Sequence, residues 1–432
     1  MAAMVLDLAI APYLFGVFAG VGVYLIIGRP WRLNRLDRGY LLAAALFAAG
    51  SVLIGLANGS LLADPRFATY PLYYLAMAPL AVGLVLVDDP LERLVLGARI
   101  GLILLFFWGL AAAFAQLQRY GFGSNPANAA FSITFIAILS RLTVRPGVAR
   151  AGGVLARLPA ALRRTWSQMI GLPCLAFYLA LLPVVVTGTR AVLPVFAIAA
   201  LFDFWRLVRG TAWRRRMGLP FAGLVVAALA AAWLLAPFAT ARFEATMNEL
   251  RVLSDSAVPL AGPQTSSPSD ASEISGLRVD GRWVGGMPLR MIQWRAAAEV
   301  LADHPVLGVG SHRLGEALLD ASPPAYRAVL EPFSFTHNMI LDEGLQRGLA
   351  GILLSTGFFV FAFARLWRRG AADVRENLGL LAGLTVCFGM LHYIFLVDRH
   401  VALYSLYFLV LTTTLKKRRN EQGQLPGAAS PA

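Results

Sequence analysis

The chain has 432 residues, of which 58% are hydrophobic and only 14% charged, and its mean hydropathy is +0.65. That balance excludes an ordinary soluble domain, and many separate apolar stretches approach the roughly 20 residues needed to cross a bilayer. The formal net charge of +14 would suggest nucleic acid in a soluble protein. Here the arginines gather in short loops between apolar stretches, so they report orientation and imply no nucleic-acid partner.

Eleven membrane helices are predicted, at about 9–28, 40–58, 70–87, 94–117, 126–144, 167–187, 191–208, 218–238, 348–367, 377–397 and 401–415. The expected fold class is therefore an all-α polytopic membrane protein. The first stretch is too long and apolar for a cleaved signal and lacks a basic n-region. Cys174 and Cys387 both fall within apolar stretches, so no disulfide framework is implied. Arg29 to Arg38, Arg145 to Arg164, Arg209 to Arg216, Arg368 to Arg375 and Lys416 to Arg419 fill loops that alternate onto one side, which is the cytoplasmic one. The segment 239–347 then lies outside. Four units follow: a transmembrane bundle (1–238), an outer loop or cap (239–347), C-terminal transmembrane helices (348–415) and a basic, disordered cytoplasmic tail (416–432).

The outer segment carries eight arginines against eleven acidic residues between Arg242 and Glu331, unlike the arginine-rich inner loops. Its first part, Asn248 to Arg282, has no apolar period and reads as a flexible linker. A helical pattern runs from Met287 to Val300, Pro305 to Gly310 makes a turn, and a short amphipathic piece covers Leu314 to Leu319. A small helical cap over the membrane surface is the expectation. No internal repeat argues for an inverted-repeat transporter.

Three outer features carry chemistry. In the tight turn Thr187-Gly188-Thr189-Arg190, Arg190 stands on the side that otherwise avoids positive charge. It suits an interfacial anchor or, through bidentate hydrogen bonding, a diphosphate. Arg290 and Trp294 are four apart and share a helix face, which suits cation–π stacking within the cap as well as a substrate site. Gly308-Val309-Gly310 lacks the third glycine and the βαβ setting of a dinucleotide fingerprint, and reads as a tight turn. His337 precedes a helix entrance paved by Gly344, Gly348 and Gly351. A neutral imidazole there suits a general base toward a sugar hydroxyl, and the glycines allow close approach of backbone or substrate. A lone histidine is more often structural than catalytic.

His304 and His312 read as cap and surface residues. Arg399 and His400, in the turn between the last two helices, could line the same site. Asp342 and Glu343 could orient a neighbour or cap the helix. His392 and Arg99 lie in apolar stretches and face protein or a cavity. No Asp-x-Asp pair, zinc motif or Walker loop accompanies the outer site, so neither a metal nor a cofactor is expected.

His337-Asn338, a nine-residue gap and Gly348-Leu349-Ala350-Gly351 resemble the signature of the O-antigen ligases. Their relatives, the lipid-linked polysaccharide polymerases and the protein O-oligosaccharyltransferases, share it. Thr187–Val192 and Arg290–Gly310 are similar to two further stretches of those families, in the same order. The resemblance implies a GT-C-like fold of about 11–12 transmembrane helices, with one large periplasmic loop, in the Gram-negative inner membrane. It implies transfer of O-antigen from undecaprenyl diphosphate to lipid A–core, with His337 catalytic and Arg190 and Arg290 on the diphosphate. Asn338, Trp294, Gly348 and Gly351 would support them, Arg399 and His400 are further candidates, and membrane lipids surround the protein. Polymerase, protein O-oligosaccharyltransferase and lipid-oligosaccharide transporter are the alternative readings.

Overall fold

The structure, a computed structural model, describes residues 20–28, 36–64, 71, 74, 78, 79, 82, 89–115, 121–122, 125–143, 173–209, 244, 247, 276–279, 282–324, 327–331, 335–394 and 398–423. Among the described residues the architecture is helical. The apolar bundle comprises α1 (Arg38–Ala57), the one-turn α2 (Ser60–Ala63), α3 (Pro90–Phe114), α4 (Pro126–Ser140), α5 (Pro173–Leu179), α6 (Leu181–Val186) and α7 (Leu193–Arg209). A second group follows: strands β1 (Gly276–Val279) and β2 (Arg282–Gly285), then α8 (Gly286–Asp303), α9 (Leu314–Ala321) and the short α10 (Arg327–Leu330). The chain returns to the bundle as α11 (Met339–Arg369), α12 (Ala372–Gly389) and α13 (Asp398–Gly423). Among the described residues, α1, α3 and α11 are long and apolar enough to cross a membrane.

Local chemistry explains where these helices begin and break. Asp37 caps α1 by accepting from the Tyr40 N–H at 2.9 Å, and Asn125 caps α4 ahead of Pro126; both satisfy donors that a helix start leaves free. The stretch read as one helix over 167–187 is, within the described residues, two short helices that meet at Ala180. Pro183 supplies no N–H to the carbonyl four residues back, which accounts for the break.

Three further expectations need correction. The expected helix over 377–397 stops at Gly389, and Met390 to Ile394 form an irregular loop, so His392 lies in a break rather than in a span. The linker read through Arg282 contains β1 and the start of β2, an antiparallel ladder pairing Leu277 with Val284 and Val279 with Arg282; this hairpin is also the exception to an all-α chain. Finally, α13 continues past Leu415 to Gly423, so the tail is helical at its start. The helix expected at 218–238 and most of those expected at 9–28 and 70–87 lie outside the described residues.

Two of the apolar cores among the described residues bear on the site. The bundle core is rich in interlocked rings: Phe358 stacks on Phe47 at 5.0 Å and meets Tyr74 edge-on at 4.8 Å, while Phe135 meets Tyr404 at 5.1 Å. The outer core is small, with Ala296, Ala297 and Val300 of α8, Val309, and Leu314 and Leu318 of α9 packed on Leu345 of α11. At the bundle end far from Met339, Asp37 accepts from Arg365 and Arg369. Arg141 grips Asp203 in bidentate fashion at 2.7 and 2.8 Å and also reaches Glu376. Arg99 is buried there and donates to the Ser140 and Leu142 carbonyls, closing the end of α4.

Candidate active site

The entrance to α11 is built by two side chains that bracket His337. Asn338 is the N-cap, and its Oδ1 accepts from the N–H groups of Ile340 and Leu341 at 3.0 and 3.2 Å. One turn on, Asp342 reaches back past the cap, where its Oδ1 accepts from both the N–H and the hydroxyl of Thr336, at 2.7 and 2.8 Å. Between these fixed residues His337 adopts φ +57°, a left-handed conformation that costs a non-glycine residue roughly 1–2 kcal/mol and persists where neighbours enforce it.

Trp294 completes the arrangement from α8, because its indole N–H donates to the Thr336 carbonyl at 2.9 Å. On the opposite side stands the loop after α12. Asn338 donates to the Met390 carbonyl, Phe335 stacks on Tyr393 with rings 8° from parallel, and the Tyr393 hydroxyl donates to Glu343 at 3.1 Å. These contacts present His392 edge-to-face to His337, with ring centroids 6.1 Å apart.

Arg290, on α8 one turn before Trp294, lies within electrostatic reach of both imidazoles. Burial pulls the pKa of His337 down from 6.5 to about 4, and the Arg290 guanidinium pushes the same way. His337 is therefore neutral at physiological pH, with a lone pair able to accept a proton. Burial also lowers the Arg290 pKa, yet a guanidinium stays cationic in proteins.

The glycines prove to serve backbone packing. Gly348 sits at φ +63°, and a Cβ there would overlap the Val306 carbonyl. Through that gap the Pro305–Gly310 turn docks on α11: Leu349 donates to Pro305 O at 2.8 Å, Ala350 to Val306 O at 3.1 Å, and Val309 to Leu345 O at 2.8 Å. Gly308, at φ +65°, faces the Gly344 and Leu345 carbonyls just as closely. Asn58 adds two bonds, to Leu307 O and Gln346 O. The two glycine motifs are thus the two halves of one backbone joint. Gly351 instead makes room for the Arg347 side chain.

Of the residues expected from sequence, His337, Arg290, Trp294 and Asn338 come together. Arg190 is exposed in its turn, which Gly188 shapes at φ +69°. His400 packs in the aromatic core, 4.0 Å from the Phe131 ring, and Phe388 lies between it and His392. Arg399 is half-buried beside it, and His304 and His312 are exposed around the connection from α8 to α9. Thr336, Tyr393 and Arg347 join the site without being among the residues expected from sequence. Arg347 is buried, pairs with Glu343 at 3.2 Å and donates to Ser51 at 2.9 Å; the Glu-x-x-x-Arg spacing at a span entrance was the available signal. Among the described residues no three His, Cys, Asp or Glu side chains cluster as metal ligands.

The family model for O-antigen ligase matches residues 175–356. Over those residues the chain is similar to the O-antigen ligase family, which supports the resemblance seen in the sequence. No curated relative matches the chain. The family segment contains Arg190, Arg290, Trp294, His337, Asn338, Gly348 and Gly351. His392 and Tyr393 lie beyond its end, so the loop after α12 joins the site from outside the matched region.

Proposed function

We propose that this protein is an O-antigen ligase. It transfers O-antigen polysaccharide from undecaprenyl diphosphate to a sugar hydroxyl of lipid A–core, at the periplasmic face of the Gram-negative inner membrane. The observation that carries this reading is a neutral imidazole, His337, held within electrostatic reach of a half-buried guanidinium, Arg290, at the mouth of a membrane helix in a family-matched segment. The arginine distribution supports the sidedness, because Arg365, Arg368 and Arg369 stand at the end of α11 opposite His337.

The chemistry is a single displacement. His337 accepts the proton of the acceptor hydroxyl while that oxygen attacks the anomeric carbon, and the bond from this carbon to the diphosphate oxygen breaks. Arg290, and Arg190 from its outer turn, bind the departing diphosphate through planar, charge-assisted hydrogen bonds. One displacement inverts the anomeric configuration. Two cations meet the leaving group's charge, so the proposed reaction uses neither metal nor cofactor.

The test is product analysis of purified protein given undecaprenyl-diphosphate-linked O-antigen together with lipid A–core. Formation of a lipid A–core–polysaccharide conjugate is expected. Elongated lipid-linked polysaccharide instead would make the protein a polymerase, and glycan on an added protein acceptor would make it an O-oligosaccharyltransferase. Movement of the donor across a bilayer with no new covalent product would make it a transporter.

A further inference from the structure

Thr336 is fully buried, and its N–H, hydroxyl and carbonyl are all engaged. Asp342 takes the first two on one carboxylate oxygen, and the Trp294 indole supplies the third bond. An ordinary helix-capping carboxylate would satisfy N–H groups of its own first turn. Asn338 already does that here. The bonds of Asp342 run backward to the residue on the far side of His337. We propose that Asp342 and Trp294 are positioning residues of the transfer reaction, which act through Thr336 to hold His337 in its left-handed conformation with the imidazole turned toward Arg290 and His392. This rests on His337 being the base of the proposed reaction.

Two consequences follow from the geometry. The histidine backbone is anchored on both sides, by Thr336 before it and by Asn338, through Ile340, Leu341 and Met390, after it. Loosening either anchor lets φ relax toward ordinary negative values and swings the ring away from Arg290 and His392. Because the Thr336 carbonyl is held from α8, the helix that carries Arg290, the same indole bond also fixes the separation of the base from the guanidinium. Trp294 and Arg290 are one turn apart, so a shift of α8 moves both together.

The experiment uses the full chain in lipid nanodiscs, with undecaprenyl-diphosphate-linked O-antigen and lipid A–core as substrates. Trp294→Phe keeps an aromatic ring on α8 but removes the N–H donor, with part of the indole, and Asp342→Leu removes the acceptor. Each should lower kcat by about a hundredfold, as expected for a displaced catalytic group, with donor KM little changed. Each should also raise the acid limb of the kcat/KM profile, because His337, now more hydrated, protonates more readily; Arg290 and His392 are the groups that face it. Asp342→Asn keeps an oxygen that accepts both Thr336 bonds and should restore most of kcat. Normal kcat in Trp294→Phe and Asp342→Leu, or a raised KM at constant kcat, overturns the proposal. So does an Asp342→Asn protein as slow as Asp342→Leu. Should Asp342→Leu fail to fold, Trp294→Phe decides alone. His337→Ala in parallel separates the two levels. An inactive His337→Ala beside unaffected Trp294→Phe and Asp342→Leu removes only the positioning role. A fully active His337→Ala removes the proposed mechanism as well.

Discussion

The Tyr393 hydroxyl donates to the Glu343 carboxylate across 50 positions of sequence, at 3.1 Å and with both side chains buried. This bond ties the loop after α12 to the outer turn of α11, and Glu343 in turn pairs with Arg347. The two partners differ in what their loss exposes. Tyr393→Phe deletes one hydrogen bond and leaves the ion pair, a loss of about 1–3 kcal/mol. Arg347→Ala strands a buried carboxylate, at about 3–5 kcal/mol. Thermal unfolding in detergent should therefore show a larger drop for Arg347→Ala than for Tyr393→Phe. The reverse order would mean that Glu343 does not depend on Arg347.

Gly348 makes a second stability prediction. Its positive φ and the Val306 carbonyl against it leave no place for a methyl group. Gly348→Ala should separate the Pro305–Gly310 turn from α11 and sharply lower both the yield of folded protein and its unfolding temperature. Gly357→Ala, nine residues along the same helix, meets open space, and alanine favours the helix by up to about 1 kcal/mol. Matched expression and melting of both variants checks the contrast. Equal behaviour would contradict the docking of the two glycine motifs.

The acidity of His337 sets a pH dependence. In the unfolded chain the imidazole titrates near 6.5, whereas burial and then Arg290 hold it at about 4 in the fold. Between these values the unfolded state binds more protons, so this residue's contribution makes stability fall as pH drops from 6.5 toward 4. In the proposed mechanism activity follows the same group: a neutral base persists down to about pH 5, and the acid limb of kcat/KM should centre near 4. Arg290→Gln removes the smaller cause only, so its limb should rise without reaching 6.5. A wild-type limb already at 6.5 would show His337 to be solvated and unlike the site described.

Much of this site was legible because its parts are local. The His337-Asn338 pair, the α8 face carrying Arg290 and Trp294, and the cap-forming turn at Pro305–Gly310 each depend on spacings of a few residues. What escaped depends on contacts between distant segments. Nothing in Tyr393 or Thr336 alone announces a partner, and an apolar run through 377–397 looks continuous until Asn338 and Glu343 fasten its end. The glycines were read as room for backbone or substrate. Only the opposed carbonyls of Val306 and Leu345 decide for backbone. His400 misled for a simpler reason: the turn position suggested the surface, but packing against Phe131 buries it.

Metal independence follows from the proposed leaving-group chemistry. A diphosphate departs with developing negative charge, which guanidiniums can neutralise through bidentate contacts. Transfer should continue in excess EDTA once the donor has been freed of bound cations. A steep loss under chelation, reversed by a single divalent ion, would shift the role to carboxylates such as Asp342 or Glu343. That result would keep a glycosyl transfer but not this mechanism.

The two arginines should not be equivalent. Arg290 is half-buried on α8 with its charge felt at His337, while Arg190 is exposed in the turn between α6 and α7. Lysine preserves the charge at either position but loses the planar fork. At a half-buried site, where water replaces the lost hydrogen bonds less readily, that loss is costly; at an exposed site solvent compensates more fully. Arg290→Lys should therefore cut kcat/KM for the lipid-linked donor by about tenfold or more, the equivalent of one lost charge-assisted hydrogen bond, and Arg190→Lys by less. Both alanine variants should weaken donor binding, measured directly with a labelled undecaprenyl-diphosphate glycan. Full activity and unchanged donor affinity in both lysine variants would reduce the two side chains to interfacial anchors. A larger effect at Arg190 would place the diphosphate nearer the α6–α7 turn than to His337, and the attacking hydroxyl would then need a different base.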